Sequence, residues 1–276
     1  MERITAPIPI GFKVGNSWIR QAELRQLNGY DEQTLTEIRS YPLSFRTTFL
    51  LETIVTFGKL PRKLGLHEVI RSLALGDRVA LVLHLRRIVL GDKIQSTLNC
   101  PQCQEPISLE LSAKELLQPT QLEPKKEYPA KIENFLLKLR PLTGADLEAV
   151  SEDSDKNSQV ECLARSCVVY SEPPLPEKLS PEFQASISQA LDEIDPQANT
   201  VLKLACPFCN HSLQAPFDIE SYFFEEISSR LGQLEREVHW LAFNYHWSEK
   251  EILSLPMAKR KRYIELINAT LSGETI

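Results

Sequence analysis

Apolar and polar residues alternate in two places along the 276-residue chain, and both stretches carry the same corner. In Ser96-Thr-Leu-Asn-Cys100-Pro-Gln-Cys103-Gln-Glu-Pro-Ile107-Ser-Leu-Glu-Leu111, the residues Ile107, Leu109 and Leu111 alternate with Ser108 and Glu110. In Leu202-Lys-Leu-Ala-Cys206-Pro-Phe-Cys209-Asn-His-Ser-Leu213-Gln-Ala-Pro-Phe217, the residues Leu213, Ala215 and Phe217 do the same. A period of two marks a half-buried strand, so each Cys-Pro-x-Cys stands at the tip of a hairpin, over 94–111 and 200–217.

Elsewhere the period is helical. Phe45, Phe49, Leu50, Ile54 and Phe57 predict a helix that stops at Gly58. Gly76-Asp77-Arg78 predicts the start of a helix running to Val89, with Asp77 as its N-cap. Ser112-Ala-Lys-Glu115 reads as a capping box opening a short helix. Gln159–Tyr170 and Phe183–Ile194 are further helices, and Ile219–Tyr245 reads as one long one. Ser248-Glu-Lys-Glu251 is a second capping box, for a helix to Leu255, and Pro256 opens the last helix.

A second motif recurs. Leu24-Arg25-Gln-Leu27-Asn28-Gly29-Tyr-Asp31 and Leu139-Arg140-Pro-Leu142-Thr143-Gly144-Ala-Asp146 both predict a strand, a turn and a helix start. Asn28 or Thr143 serves as N-cap, and the acid three residues on answers it. With the two hairpins, this motif predicts a tandem duplication: a first repeat over 1–117, a Pro-rich linker over 118–129, a second repeat over 130–217, and a helical extension over 218–276. The expected class is α+β, two strand–helix–helix–hairpin units related by a pseudo-twofold.

Two thiols at a Cys-x-x-Cys turn supply two legs of a tetrahedral zinc site, and a second such turn supplies the others. Cys100, Cys103, Cys206 and Cys209 are therefore expected to hold one structural zinc ion. A closed four-thiolate set leaves no position for a reactive water. The alternatives are two disulfides or a redox pair. A redox pair would open a helix, whereas a return strand follows each corner here. Cys162 and Cys167 fall in a helical segment, and His211 directly follows the second corner as a turn residue. The N-terminus shows no apolar signal region, so a cytoplasmic product with reduced thiols is expected.

A net charge of −6 argues against sequence-independent nucleic-acid binding by the molecule as a whole. Locally, Lys259-Arg260-Lys261-Arg262 is basic, and with Trp247, Arg25 and Arg140 it makes the candidate partner contacts. Each has a plainer reading: the two arginines paired with Asp31 and Asp146, the tryptophan packed between helices, the basic run solvated. No phosphate loop, nucleophile elbow or metalloprotease motif is present, and no enzyme is expected.

Leu139–Asp146, the run Leu75–Arg87 with its Gly-Asp-Arg start, Gly91-Asp92 and the two Cys-Pro-x-Cys hairpins together resemble baseplate proteins of contractile-tailed phages. They resemble still more the version found with extracellular contractile injection systems, as does the ending Glu237–Tyr263. The resemblance implies a non-enzymatic part of the baseplate or hub, or an assembly factor, whose partners are other baseplate, hub or spike proteins. The competing expectation is a nucleic-acid-binding zinc ribbon, with a thiol redox enzyme behind it.

Overall fold

A computed structural model describes residues 3–272 apart from 59, 61–63, 119–122 and 154. The chain is mixed α+β, as expected. It opens with β1 (Arg3–Val14) and β2 (Ser17–Arg25), antiparallel from Arg3 opposite Arg25 to Val14 opposite Ser17. Helices α1 (Gly29–Glu37) and α2 (Leu43–Ile54) follow, and β3 (Val55–Thr56) then pairs back onto β2. Next come α3 (Leu66–Ser72), α4 (Leu75–Leu90) and the hairpin β4 (Lys93–Asn99)–β5 (Pro106–Ser112).

The order then returns in shorter form. β6 (Tyr128–Ile132) and β7 (Phe135–Leu139) pair antiparallel, α5 (Gly144–Val150) and α6 (Lys156–Ser166) follow, and β8 (Val168–Glu172) pairs with β7. After α7 (Pro181–Ile194) stands the second hairpin, β9 (Val201–Ala205)–β10 (Ser212–Pro216). Four helices end the chain: α8 (Ile219–Ser229), α9 (Leu231–Tyr245), α10 (Glu249–Leu253) and α11 (Met257–Ser272).

Several boundaries differ from the expected ones, for physical reasons. The helix from Phe45 stops at Ile54, because β-branched Val55 and Thr56 leave it to pair with Leu24 and Glu23. The helix expected to reach Tyr170 stops at Ser166 in the same way, and Val168–Glu172 joins β7. Ser112 opens no helix: its hydroxyl and the Lys114 N–H are taken by Asp92, and residues 113–116 form turns. The long tail helix breaks at Arg230, between two serines and Gly232, all weak helix formers. Tyr128 already lies in a strand, so the linker expected over 118–129 ends early, and its residues 119–122 lie outside the described set.

The core is built around α4. Ala80, Leu81, Val82, Leu83 and Leu85 are all buried, as in a helix covered on every side. The first three-stranded sheet, α2, α3 and α8 contribute to the same cluster, with Phe223 and Phe224 at its far edge. A second cluster lies under β6–β8, around Leu139, Cys167, Phe183 and Ile187.

The start of α4 joins these parts. Asp77 is not the N-cap; it is the third residue of the helix, fully buried, and reaches across to β1. Its two oxygens accept the N–H groups of Ile10 and Gly11 at 2.8 Å each. Those N–H groups lie where β1 slips register against β2, between Pro7 and Phe12, so β2 leaves them free. Gly76 donates its N–H to Asp195, beyond the end of α7, at 2.8 Å. Any Cβ there would collide with that carboxylate, 1.9 Å away. Arg78 is buried and bonds Thr48 Oγ1 at 3.0 Å and the Ser44 carbonyl at 2.9 Å.

Burial pushes the carboxyl of Asp77 up to about 6, and those of Asp195 and Glu220 up to about 7. The folded chain therefore keeps three protons that the unfolded chain loses near pH 4. Stability from these groups is complete below that pH and declines as pH rises to 6 and 7, by about 1.4 kcal/mol per pH unit per group. His84 acts oppositely: burial and Arg87 lower it to about 4, which offsets one of the three between pH 4 and 6.5. Thiolates on a bound ion add an opposing slope, because the unfolded chain carries those protons as thiols, so the carboxyl contribution is read as a difference between variants. The urea midpoint of the parent relative to that of Asp195→Asn is expected to fall from pH 5 to pH 7.5. Asp77→Asn should destabilise at every pH, since an amide offers one acceptor oxygen to two N–H groups. A difference between parent and Asp195→Asn that stays constant or rises across this range would contradict the assignment.

Candidate metal centre

The two hairpins meet tip to tip. In the first corner the Cys100 N–H donates to the Glu105 carbonyl at 3.0 Å, and Gln104 N–H to the Cys100 carbonyl at 2.9 Å. In the second, Cys206 N–H donates to His211 and Asn210 N–H to Cys206, both at 2.9 Å. Gln104 (φ 61°) and Asn210 (φ 58°) both take the left-handed conformation that curls the turn back. Asn adopts this region more readily than most residues. Each corner thus points both of its thiols to the same side.

All four sulfurs lie within 4.8 Å of one another, and the cross-hairpin pairs Cys100–Cys209 and Cys103–Cys206 are 3.7 Å apart. A disulfide needs about 2.05 Å. A tetrahedron of thiolates at ~2.3 Å from a central ion has edges of about 3.8 Å. The spacing fits a shared ion and no S–S bond. Cys100 and Cys206 are buried, and with Ile107 and Leu213 they form a small core of their own beneath the tips.

The electrostatics fit the same reading. The Cys103 and Gln102 N–H groups draw the Cys100 thiol down to about 6. Despite a backbone hydrogen bond at Glu105, burial and the neighbouring thiols push Cys103 up to about 12. The Cys100 thiolate forms readily, while Cys103 and Cys209 resist ionisation until a cation shares the site. The four cysteines can hold a metal ion, with no coordination position left for substrate. His211 contributes only its carbonyl to the turn, and Cys162 and Cys167 lie elsewhere, Cys167 bonding the Ala164 carbonyl at 3.0 Å.

The other candidate residues are placed apart from the metal centre. Arg25 makes a two-pronged pair with Asp31 at 2.6 and 2.9 Å; Arg140 makes the same pair with Asp146 at 2.7 and 2.8 Å. Both acids also accept the N–H of the helix cap, Asn28 or Thr143. Asp146, in spite of its burial, is held below the usual carboxylate range by Arg140 and Thr143. Trp247 stacks on Tyr245, with centroids 4.8 Å apart, and meets Tyr263 edge-on at 5.0 Å.

The basic run divides. Lys259, Lys261 and Arg262 are exposed, but Arg260 is 0 % exposed and so leaves the expected contact surface. It bonds Glu32 at 2.7 Å, Glu237 at 2.8 Å and the Leu255 carbonyl at 2.7 Å. One residue in a helical turn always faces inward, and here a buried acid, Glu32, and a half-buried one, Glu237, meet it. Sequence reasoning missed both, along with the Gly76–Asp195 contact. A lone acid at a buried helix position, Glu32, was the available signal.

Removing one thiolate leaves an incomplete set around the ion. Structural sites of this kind contribute on the order of 10 kcal/mol of folding free energy. Cys206→Ser is expected to lose its metal in native mass spectrometry and to unfold or precipitate under conditions where the parent is stable. A monodisperse, metal-free variant with an unchanged melting temperature would count against the assignment.

A family model described as T4 bacteriophage base plate protein matches residues 58–225. No curated protein and no solved structure matches the chain. The matched stretch contains α4 with its Gly-Asp-Arg start, the second strand–turn–helix motif and both cysteine corners.

Proposed function

The chain belongs to the family of T4 bacteriophage base plate proteins, and we propose on that premise that it is a non-enzymatic, zinc-stapled structural or assembly component of the baseplate of a contractile injection system. The observation that carries the stapled scaffold is the convergence of two distant corners on one set of four sulfurs. Zinc suits an all-thiolate tetrahedral set and brings no redox chemistry.

The same observation supports a tandem duplication. Each half runs hairpin, helices, short return strand, long helix and cysteine hairpin, and the ion joins like to like across a pseudo-twofold. Partner contacts then fall to exposed surface: Lys259, Lys261 and Arg262 on α11 offer charge to an acidic partner, while Arg25, Arg140 and Trp247 support their own turns and helices. The hairpin tips carry Pro101, Gln102, Gln104, Glu105, Phe208 and Asn210, with no Lys or Arg. That composition favours protein partners over nucleic acid. Among the described residues no helix is long and apolar enough to cross a membrane.

Elemental analysis of the purified chain, combined with a pull-down from the producing cell, tests this reading. One zinc per chain and copurifying sheath, hub or spike proteins are expected. Absence of zinc would remove the staple. Salt-sensitive recovery of DNA or RNA without baseplate proteins would transfer the function to the nucleic-acid reading.

A further inference from the structure

The corner that leads into α4 recurs near the end of the chain. Ile70-Arg-Ser72-Leu73-Ala74-Leu75-Gly-Asp-Arg78 and Ile252-Leu-Ser254-Leu255-Pro256-Met257-Ala-Lys-Arg260 share Ile, Ser, Leu and Arg at the same positions. The backbone repeats as well. Leu73 N–H donates to the Ile70 carbonyl at 3.4 Å, and Leu255 N–H to Ile252 at 3.0 Å. Ser72 Oγ donates to the Val69 carbonyl at 2.9 Å, and Ser254 Oγ to Glu251 at 2.6 Å. The next helix then begins with Arg78 N–H on Ala74 and Arg260 N–H on Pro256, both at 3.1 Å.

Any two short helices joined by a tight turn show some of this pattern; a shared target does not follow from the turn alone. Ala74 forms an antiparallel bridge with Thr143, and Pro256 forms one with Asn28. Thr143 and Asn28 are the matched caps of the two Leu-Arg-x-Leu-x-Gly-x-Asp turns. The glycine of each turn lies against the corner. A Cβ on Gly144 would come 2.1 Å from Arg78 Nη1, and one on Gly29 would come 2.6 Å from Leu253 Cδ2 and 3.0 Å from its Cα. Both arginines are buried, with carboxylates nearby: Glu32 and Glu237 bonded to Arg260, Glu148 and Glu220 in the field of Arg78.

We propose that the two corners are one recognition element, a helical clasp whose ligand is the strand–turn–helix socket, and that the C-terminal clasp is exchangeable between the socket of its own chain and that of a second copy. The first clasp is fixed, since Ile70, Leu73 and the α4 that follows belong to the main core. The second lies mostly apart from that core, which only its Met257 enters. Leu241, Ile252 and Ile267 form their own cluster with Trp240, Trp247 and Tyr263, and α9 joins α8 through the break at Arg230. The partner is identified by what the clasp fits: every copy carries the Asn28–Asp31 socket, with Glu32 placed to receive the arginine. Exchange uses the same contacts within or between chains, the usual low-cost route to an intertwined oligomer. The inference uses none of the metal ligands and stands apart from the baseplate reading.

Two full-length chains with different affinity tags, mixed at high concentration and recovered through one tag, provide the test. Species carrying both tags are expected, increasing with concentration. Arg260→Met and, separately, Gly29→Ala weaken the closed and the exchanged contact alike, so mixed species should form at least tenfold faster than in the parent, with zinc content unchanged. In both variants amide exchange should rise over 233–272 and remain unaltered over α4. Gly29→Ala leaves every buried charge in place, so it decides the matter if Arg260→Met fails to fold. Mixed species that form no faster in either variant than in the parent would assign the contact to another surface. Chains that never mix would overturn the exchange, and unaltered tail protection in both variants would overturn the clasp.

Discussion

Three consecutive residues at the start of α4 each bond a different part of the chain. Gly76 meets the end of α7, Asp77 meets the slipped backbone of β1, and Arg78 meets α2 and lies against the turn that opens α5. None of the three tolerates a simple replacement in this setting. The glycine is required by a carboxylate in the space of its missing side chain, not by its own backbone angles. The aspartate satisfies two buried N–H groups at once, which left unpaired would each cost about 1–3 kcal/mol. The arginine is a buried charge whose partners are mostly neutral oxygens, and burial lowers its pKa. Such a group adds little net stability, yet it penalises any arrangement in which the two halves fail to meet.

The metal centre acts on the same problem from the opposite end of each half. Both hairpins are only two-stranded, and an isolated hairpin of that size is marginal in water. Their shared core is small: four buried residues, two of them cysteines. Apolar burial on that scale does not secure the contact, whereas four thiolates around one cation would. The α4 junction orients the halves through hydrogen bonds that require exact neighbours. A cation held by the cysteine cluster would fix the hairpins relative to each other through a short-range ionic bond that requires only four sulfurs. The two devices are complementary, since one is sensitive to carboxyl protonation and the other to thiol protonation.

What was legible in the sequence was whatever is encoded over a few residues. The hairpins, their turns and the capping pairs Asn28–Asp31, Thr143–Asp146 and Ser248–Glu251 all depend on contacts three to six positions apart. The four metal-site cysteines were legible because two identical corners have few other uses. The errors share a cause. β3 and β8 each follow a helix without punctuation, and only a partner strand thirty residues away makes Val55 or Val168 extended instead of helical. Asp77 looked like a cap because caps are local; its real partners lie 66 and 67 positions upstream. Arg260 looked solvated because it sits in a basic run, and Glu32, 228 positions earlier, withdraws it.

Each of the two sockets is met by one clasp. The tail clasp holds the first socket, and the first half's clasp holds the second. The second half has its own segment at the matching place, Leu179-Ser180-Pro181 leading into α7, where the arginine position is Gln184. Its amide turns back onto the Leu179 carbonyl at 3.0 Å, much as Arg260 does onto Leu255 at 2.7 Å. A neutral amide can make that local bond but cannot draw a buried carboxylate from another unit. No helix comparable to α3 precedes it, so half of the corner is missing as well. With a glutamine in place of the arginine, this segment lacks the charge by which the two clasps engage their sockets.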